Sequence, residues 1–188
     1  MTVDEIFASL SAHAIEGLMF HDQMARYYDF LGLRGYKRCH EYHYAEESVG
    51  YRKLNRYFTN HYGRLIPKQR SEDPNKIPEN WYRFKREDVD PNTKRNAVQS
   101  GIESWVTWER DTKTLYEKAC KDLFDMGEVA ASKKVGKMVK AVDKELKCAE
   151  RKWIALVSVG YDMISVMACQ DDIHDKYKEK LECMEIKL

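Results

Sequence analysis

Glutamates stand where apolar residues belong in four segments of this chain. Between 40 and 58, His40, His43, Glu47, Tyr51, Leu54 and Phe58 recur at intervals of three or four, so a helix there turns Glu47 toward its apolar side. Ile102, Trp105, Val106, Glu109, Tyr116, Ala119 and Leu123 do the same for Glu109, while Val135, Met138, Val139, Val142, Ala149 and Trp153 bring Glu145 to a stripe edge. In the first segment Ile6, Leu10, His13, Gly17, Phe20 and Met24 form the stripe, and Glu16 lies one turn from both His13 and Phe20. A buried carboxylate must be paired, hydrogen-bonded, protonated or bound to a cation, because an unpaired charge costs several kcal/mol. Four at matching depth read as a carboxylate-rich metal site, whose hard oxygen donors suit iron or manganese. The alternative is edge glutamates, each paired with a Lys, Arg, Tyr or His, and no metal at all.

Such a site needs helices to hold it. The spacing predicts helices over 3–31, 35–61, 97–125, 129–158 and 161–184, with Gly32, Gly63, Gly127 and Gly160 as punctuation. No stretch alternates as a strand would. Pro67, Pro74, Pro78 and Pro91 all fall in one polar stretch, which reads as a crossover over 64–96. A connection of that length lets the chain travel the length of a bundle before its next helix, so helices two and three should run parallel. The expected fold is all-α: a four-helix bundle with a long crossover between helices two and three and an additional C-terminal helix, in one domain over 1–188. The last segment is apolar in its first half and charged in its second, which suits docking on the bundle or on another subunit.

Composition narrows the function. The chain has 188 residues, 43% of them hydrophobic, enough for a packed core, and Lys plus Arg at 32 against Asp plus Glu at 31 leaves a net charge of +1. That balance argues against a nucleic-acid or membrane-surface partner. No apolar run has the roughly 18 residues of a membrane span, and MTVDEIFASLSAHAIEG lacks the basic start of a signal peptide, so a cytoplasmic location is expected. Cys39, Cys120, Cys148, Cys169 and Cys183 form no CxxC pair and read as reduced, buried thiols. Tyr27, Tyr28, Tyr42, Tyr44 and Tyr51, with His40 and His43, either fill the core or hydrogen-bond the glutamates. Phosphate loops, nucleophile elbows and HExxH motifs do not occur.

The run GYKRCHEYHYAEESVGYRKLNRYFTNHYGRLIP, from Gly35 to Pro67, resembles the second helix of ferritins: a glycine-aromatic start, a Glu46–Glu47 pair, and an exit through His61, Tyr62, Gly63 and Arg64. WERDTKTLYEKA, from Trp108 to Ala119, is similar to the glutamate-bearing third helix, and the resemblance covers about residues 10 to 158. It implies a ferritin-like bundle whose helix-two ligand is Glu47, whose third-helix carboxylate is Glu109 and whose fourth-helix position falls near Glu145. For the first helix it leaves Glu16 and His13 as alternatives. Ferritins place a histidine where this chain has Gly50, and His43, one turn before Glu47, is either a substitute nitrogen ligand or a core histidine with an internal partner. Gly17 and Gly50 are expected to let helices one and two approach closely.

The resemblance implies iron, or manganese, as the metal ion, oxidation of Fe(II) with dioxygen, and a homo-oligomer. The competing expectation is a bundle of the same fold that has lost its metal and its chemistry and serves as a structural or interaction module.

Overall fold

The computed structural model describes residues 1–67, 85 and 89–185. Five helices follow one another: α1 (Val3–Phe30), α2 (Arg34–Tyr62), α3 (Pro91–Asp125), α4 (Val129–Ser158) and α5 (Met163–Glu185). No strand occurs among the described residues. Local chemistry sets the ends. The Thr2 hydroxyl accepts from the Glu5 amide at 3.2 Å and the Glu5 carboxylate accepts from the Thr2 amide at 2.7 Å, a reciprocal cap for α1. Gly63 closes α2 in the left-handed region at φ 67°, and Gly127 and Gly160 sit there too on either side of α4.

The largest boundary difference from the sequence reading is the start of α3, the other helix ends falling within two residues of it. α3 begins at Pro91 rather than 97, because the Asp90 side chain accepts from the Thr93 amide and a proline at the first helical position has no amide to leave unpaired. The crossover is therefore shorter than 64–96, and its residues 68–84 and 86–88 lie outside the described residues.

Helix directions follow from residue pairs. α1 and α2 are antiparallel: Tyr28 stacks on Tyr36 and Phe7 packs on Phe58. α1 and α3 are antiparallel as well, since Tyr27 donates to the Ala97 carbonyl, Phe20 stacks on Trp108 and His13 meets Thr112. Hence α2 and α3 run parallel, as the crossover requires. α4 returns along α3 through Lys113–Asp143 and Arg110–Glu150. α5 lies lengthwise on α2, with Gly35 beside Gln170 and Tyr42 beside Tyr177. A Cβ on Gly35 would sit 2.0 Å from the Gln170 carbonyl oxygen, so only glycine permits this docking.

The core divides in two. One cluster holds Ile6, Phe7, Leu10, Leu54, Phe58 and Leu123, and the other holds Phe20, Met24, Tyr28, Tyr36, Ile102 and Trp105 among its members. The residues between them on α1 to α4 are the glutamate-bearing turns.

Candidate metal centre

Glu47 of α2, Glu109 of α3 and Glu145 of α4 converge between the two apolar clusters. A cavity of about 110 Å³ is lined by Ala14, Glu46, Glu47, Gly50, Tyr116 and Glu145, with apolar residues of α4 completing the wall. Glu109 is 1% exposed and accepts a 2.8 Å hydrogen bond from the Trp105 indole. Burial pushes Glu109 up to about 8 against that hydrogen bond, and the neighbouring Glu47 adds to the rise. Burial and Glu46 push Glu47 up to about 7. Burial, then Glu109, Glu47 and Glu46, hold Glu145 well above the usual carboxylate range. Burial also raises Glu46, although the Tyr42 hydroxyl donates to it at 2.6 Å. These carboxyls repel one another and are under-solvated, so without a cation they release their protons at higher pH than ordinary carboxyls do.

His43 completes the set. It is 4% exposed, and neither ring nitrogen makes a hydrogen bond. Burial, with His21 and nearby lysines, pushes its proton affinity well down, so the imidazole is neutral and carries a free lone pair. Its Nδ1 lies 3.5 Å from Glu46, and donor atoms of His43, Glu46 and Glu145 all fall within 4.8 Å of one another. The ring also stacks on His21 and packs against Trp105 and Tyr177, so its neighbours are aromatic faces and the Glu46 carboxyl rather than a hydrogen-bonding partner.

α1 contributes differently. His13 Nε2 meets Thr112 Oγ1 at 2.8 Å, and because Thr112 spends its proton on the Trp108 carbonyl, His13 is the donor. Its Nδ1 lies 3.5 Å from Glu16, and its ring stacks on Trp108. His13 and Glu16 thus stand beside the centre with partners of their own, while α1 turns Ala14 and Gly17 toward it. A Cβ on Gly17 would lie 3.3 Å from Glu47 Cδ, so the glycine makes room for that carboxyl. Gly50 departs from expectation: a Cβ there meets nothing within 4 Å, so the residue does not draw helices together. It lines both the inner cavity and an outer groove of about 490 Å³ that also reaches Glu46, Glu145 and Lys137.

Two residues of the centre were not singled out as ligands from sequence. Glu46 was visible in the Glu46–Glu47 pair, but the helical stripe favours only one of the two. His21 is fully buried, shares a 3.0 Å Nδ1–Nδ1 hydrogen bond with His40, and places Nε2 3.9 Å from Glu109. Its signal was the spacing His13, Gly17, His21 along one face of α1.

No family model matches the sequence, and no curated protein matches it. Solved structures do. An Archaeoglobus fulgidus ferritin engineered into a closed form superposes with a TM-score of 0.74 at 16% identity, over 93% of this chain and 96% of that one. A humanized archaeal ferritin gives 0.75 at 16% identity over 91% and 94%, and the open-pore ferritin of Archaeoglobus fulgidus gives 0.71 at 15%. The fold is ferritin-like. At this identity the likeness is of backbone, so the donor set of this ferritin-like bundle rests on its own geometry. That geometry suits a divalent metal ion: a bare neutral imidazole, a small cavity and carboxyls that repel one another until a cation arrives. Among the described residues no helix is long and apolar enough to cross a membrane.

Proposed function

We propose that this chain binds divalent transition metal in the bundle core, with Fe(II) as its substrate and Mn(II) as the next best fit. The observation that carries the reading is His43, buried and without a hydrogen bond, converging with Glu46 and Glu145. Glu47 and Glu109 supply further oxygens, and Glu16 with His13 flank the centre from α1. Four carboxylates balance the charge of two divalent ions, and an anionic oxygen set favours Fe(III) over Fe(II). Oxidation of Fe(II), with dioxygen taking the electron, is therefore the chemistry the donor set supports. The names of the similar structures, ferritins in each case, point the same way.

Self-association is part of the proposal. Ile154, Val157, Ile164 and Met167 are large apolar residues left exposed around the α4–α5 turn, a surface that suits a second copy of the chain. Analytical ultracentrifugation reads it directly: a monomer at all concentrations overturns it.

The alternative of a metal-free interaction module has one observation in its favour, the glycines at positions 17 and 50, which put no donor into the centre from those turns. Anaerobic reconstitution with Fe(II) or Mn(II), followed by metal analysis and thermal melts, separates the two. Metal at about a hundredfold above Kd should add about 2.7 kcal/mol to the folded state. Protein that retains no metal and whose melt does not move is the module.

A further inference from the structure

Of the five cysteines read as buried, reduced thiols, only Cys39 is buried, and Cys148 has a setting that none of the others shares. All five are free, and Cys39 is buried, Cys120 lies against Ser132, and Cys169 and Cys183 are exposed on α5. Cys148 is partly exposed on α4, one turn beyond Glu145. Its Sγ lies 2.9 Å from Lys152 Nζ and 3.5 Å from the Tyr177 hydroxyl of α5. Lys152 Nζ is itself 3.4 Å from that hydroxyl and sits over the Trp105 ring at 5.2 Å and the Tyr177 ring at 5.3 Å. On the α2 side, Cys39 shares the same tyrosine hydroxyl.

We propose that Cys148 is a peroxide-reactive thiol, activated by Lys152 and Tyr177, that a hydroperoxide converts to a sulfenic acid. The thiolate is the nucleophile, and a fixed ammonium one helical turn away both creates it and holds it. Burial pushes the Cys148 thiol up, but the Lys152 charge and the hydrogen bonds from Lys152 and Tyr177 outweigh it, so the group titrates below the ordinary thiol range. The other charges facing it are Lys176 on α5 and, from the metal centre, Glu109 and Glu145. Cys39 goes the other way: burial pushes it up to about 11, so it stays protonated and unreactive. In the reaction the Cys148 sulfur attacks the hydroxyl oxygen of the peroxide, forming an S–O bond as the O–O bond breaks. Sulfur gives up two electrons, the peroxide is reduced, and the departing alkoxide or hydroxide takes a proton from the Lys152 ammonium, which water restores.

The full chain, reduced and stripped of metal by chelator, is treated with hydrogen peroxide and dimedone, and the labelled peptides are read by mass spectrometry. The expected label is on Cys148, well ahead of the more exposed Cys169 and Cys183. Lys152→Met should slow that labelling about tenfold at pH 7 for each unit by which the thiol's proton affinity rises. The rate should recover above about pH 9, where a cysteine ionises unaided, and Lys152→Arg should retain it. A purely structural lysine would show no such recovery. Label on Cys169 and Cys183 with Cys148 untouched overturns the proposal, as does a Lys152→Met chain labelled at the wild-type rate. Should Lys152→Met not fold, the wild-type chain still decides: iodoacetamide must alkylate Cys148 at lower pH than Cys169.

Discussion

Two regions of the bundle interior are opposite in character. At the end where α1 starts and α2 finishes, Phe7, Leu10 and Phe58 are 0% exposed, and hydrocarbon packs on hydrocarbon. In the middle, Glu109 is 1% exposed and its proton affinity has risen to about 8. Burial of each large apolar side chain in the first region stabilises the fold by about 1.5–3 kcal/mol. Burial in the second destabilises it, and the raised carboxyls record that cost. The flanking clusters therefore hold the fold, and the middle layer is held by them. A set of groups kept at the expense of stability is where function is to be sought.

The largest effect should come from the apolar end. Phe58 packs on Phe7 at 5.0 Å and on Tyr62 at 4.8 Å between ring centres. Phe58→Ala should cost about 3–5 kcal/mol in a denaturant titration. The comparison predicts that the metal-induced rise in melting temperature survives in this variant. Its loss would show that the two regions are not separable.

Glu47→Gln is the converse. It removes a charged donor and relieves Glu109 and Glu145 of a neighbour, so the apo protein should melt at or above the wild-type temperature. The gain of about 2.7 kcal/mol at a hundredfold metal excess should disappear. A variant that melts lower with and without metal would instead make Glu47 a structural acceptor.

The two regions were also unequally legible in the sequence. α4 was read correctly to the residue because its bounding glycines, Gly127 and Gly160, announce the left-handed turns on both sides. The start of α3 was missed because proline reads as a breaker, whereas at Pro91 it follows a capping aspartate. Glu47, Glu109 and Glu145 were visible as polar interruptions of apolar stripes, a signal internal to each helix. Glu46, next to Glu47 and off the stripe, was not chosen, and only the fold brings its carboxylate beside His43. The His21–His40 pair was hidden for the same reason: its partners lie on different helices. Cys148 and Lys152 stand at helical spacing in the sequence, but Tyr177, which completes that group, arrives on α5.

The pH dependence of apo stability should carry the signature of both kinds of buried group. Glu47 and Glu109 hold protons in the folded state that the unfolded chain has released, so stability falls as pH rises from about 4.5 through about 7 and then about 8. The histidines act in the opposite sense. Burial lowers His13 to about 4 and His21 to about 3, so folding excludes protons that the unfolded chain takes up below about 6.5, and stability falls as pH drops toward 4. The apo melt should therefore peak between about pH 5 and 6.5, and fall at higher pH by up to about 1.4 kcal/mol per unit for each proton retained. Saturating metal displaces those protons, so the alkaline fall should vanish in the loaded protein. Identical slopes with and without metal would place the cation elsewhere.

The smallest effects separate two glycines on facing helices. Gly50 lies inside α2 with open space where a Cβ would go. Gly50→Ala should raise apo stability by about 0.5–1 kcal/mol through helix propensity and the unfolded chain's lost freedom, with metal response unchanged. Gly17 has the same intrinsic gain available, but its Cβ would approach Glu47 Cδ at 3.3 Å, tighter than ordinary contact. Gly17→Ala must therefore move the Glu47 carboxyl, and metal affinity should drop even where the apo melt stays within about 1 kcal/mol of wild type, as volume changes against a side chain that can shift usually do. Melts and metal titrations of the two variants side by side test this. Equal metal affinity in both would mean that Glu47 does not need the space Gly17 leaves, and the centre would have to be drawn around His43, Glu46 and Glu145 alone.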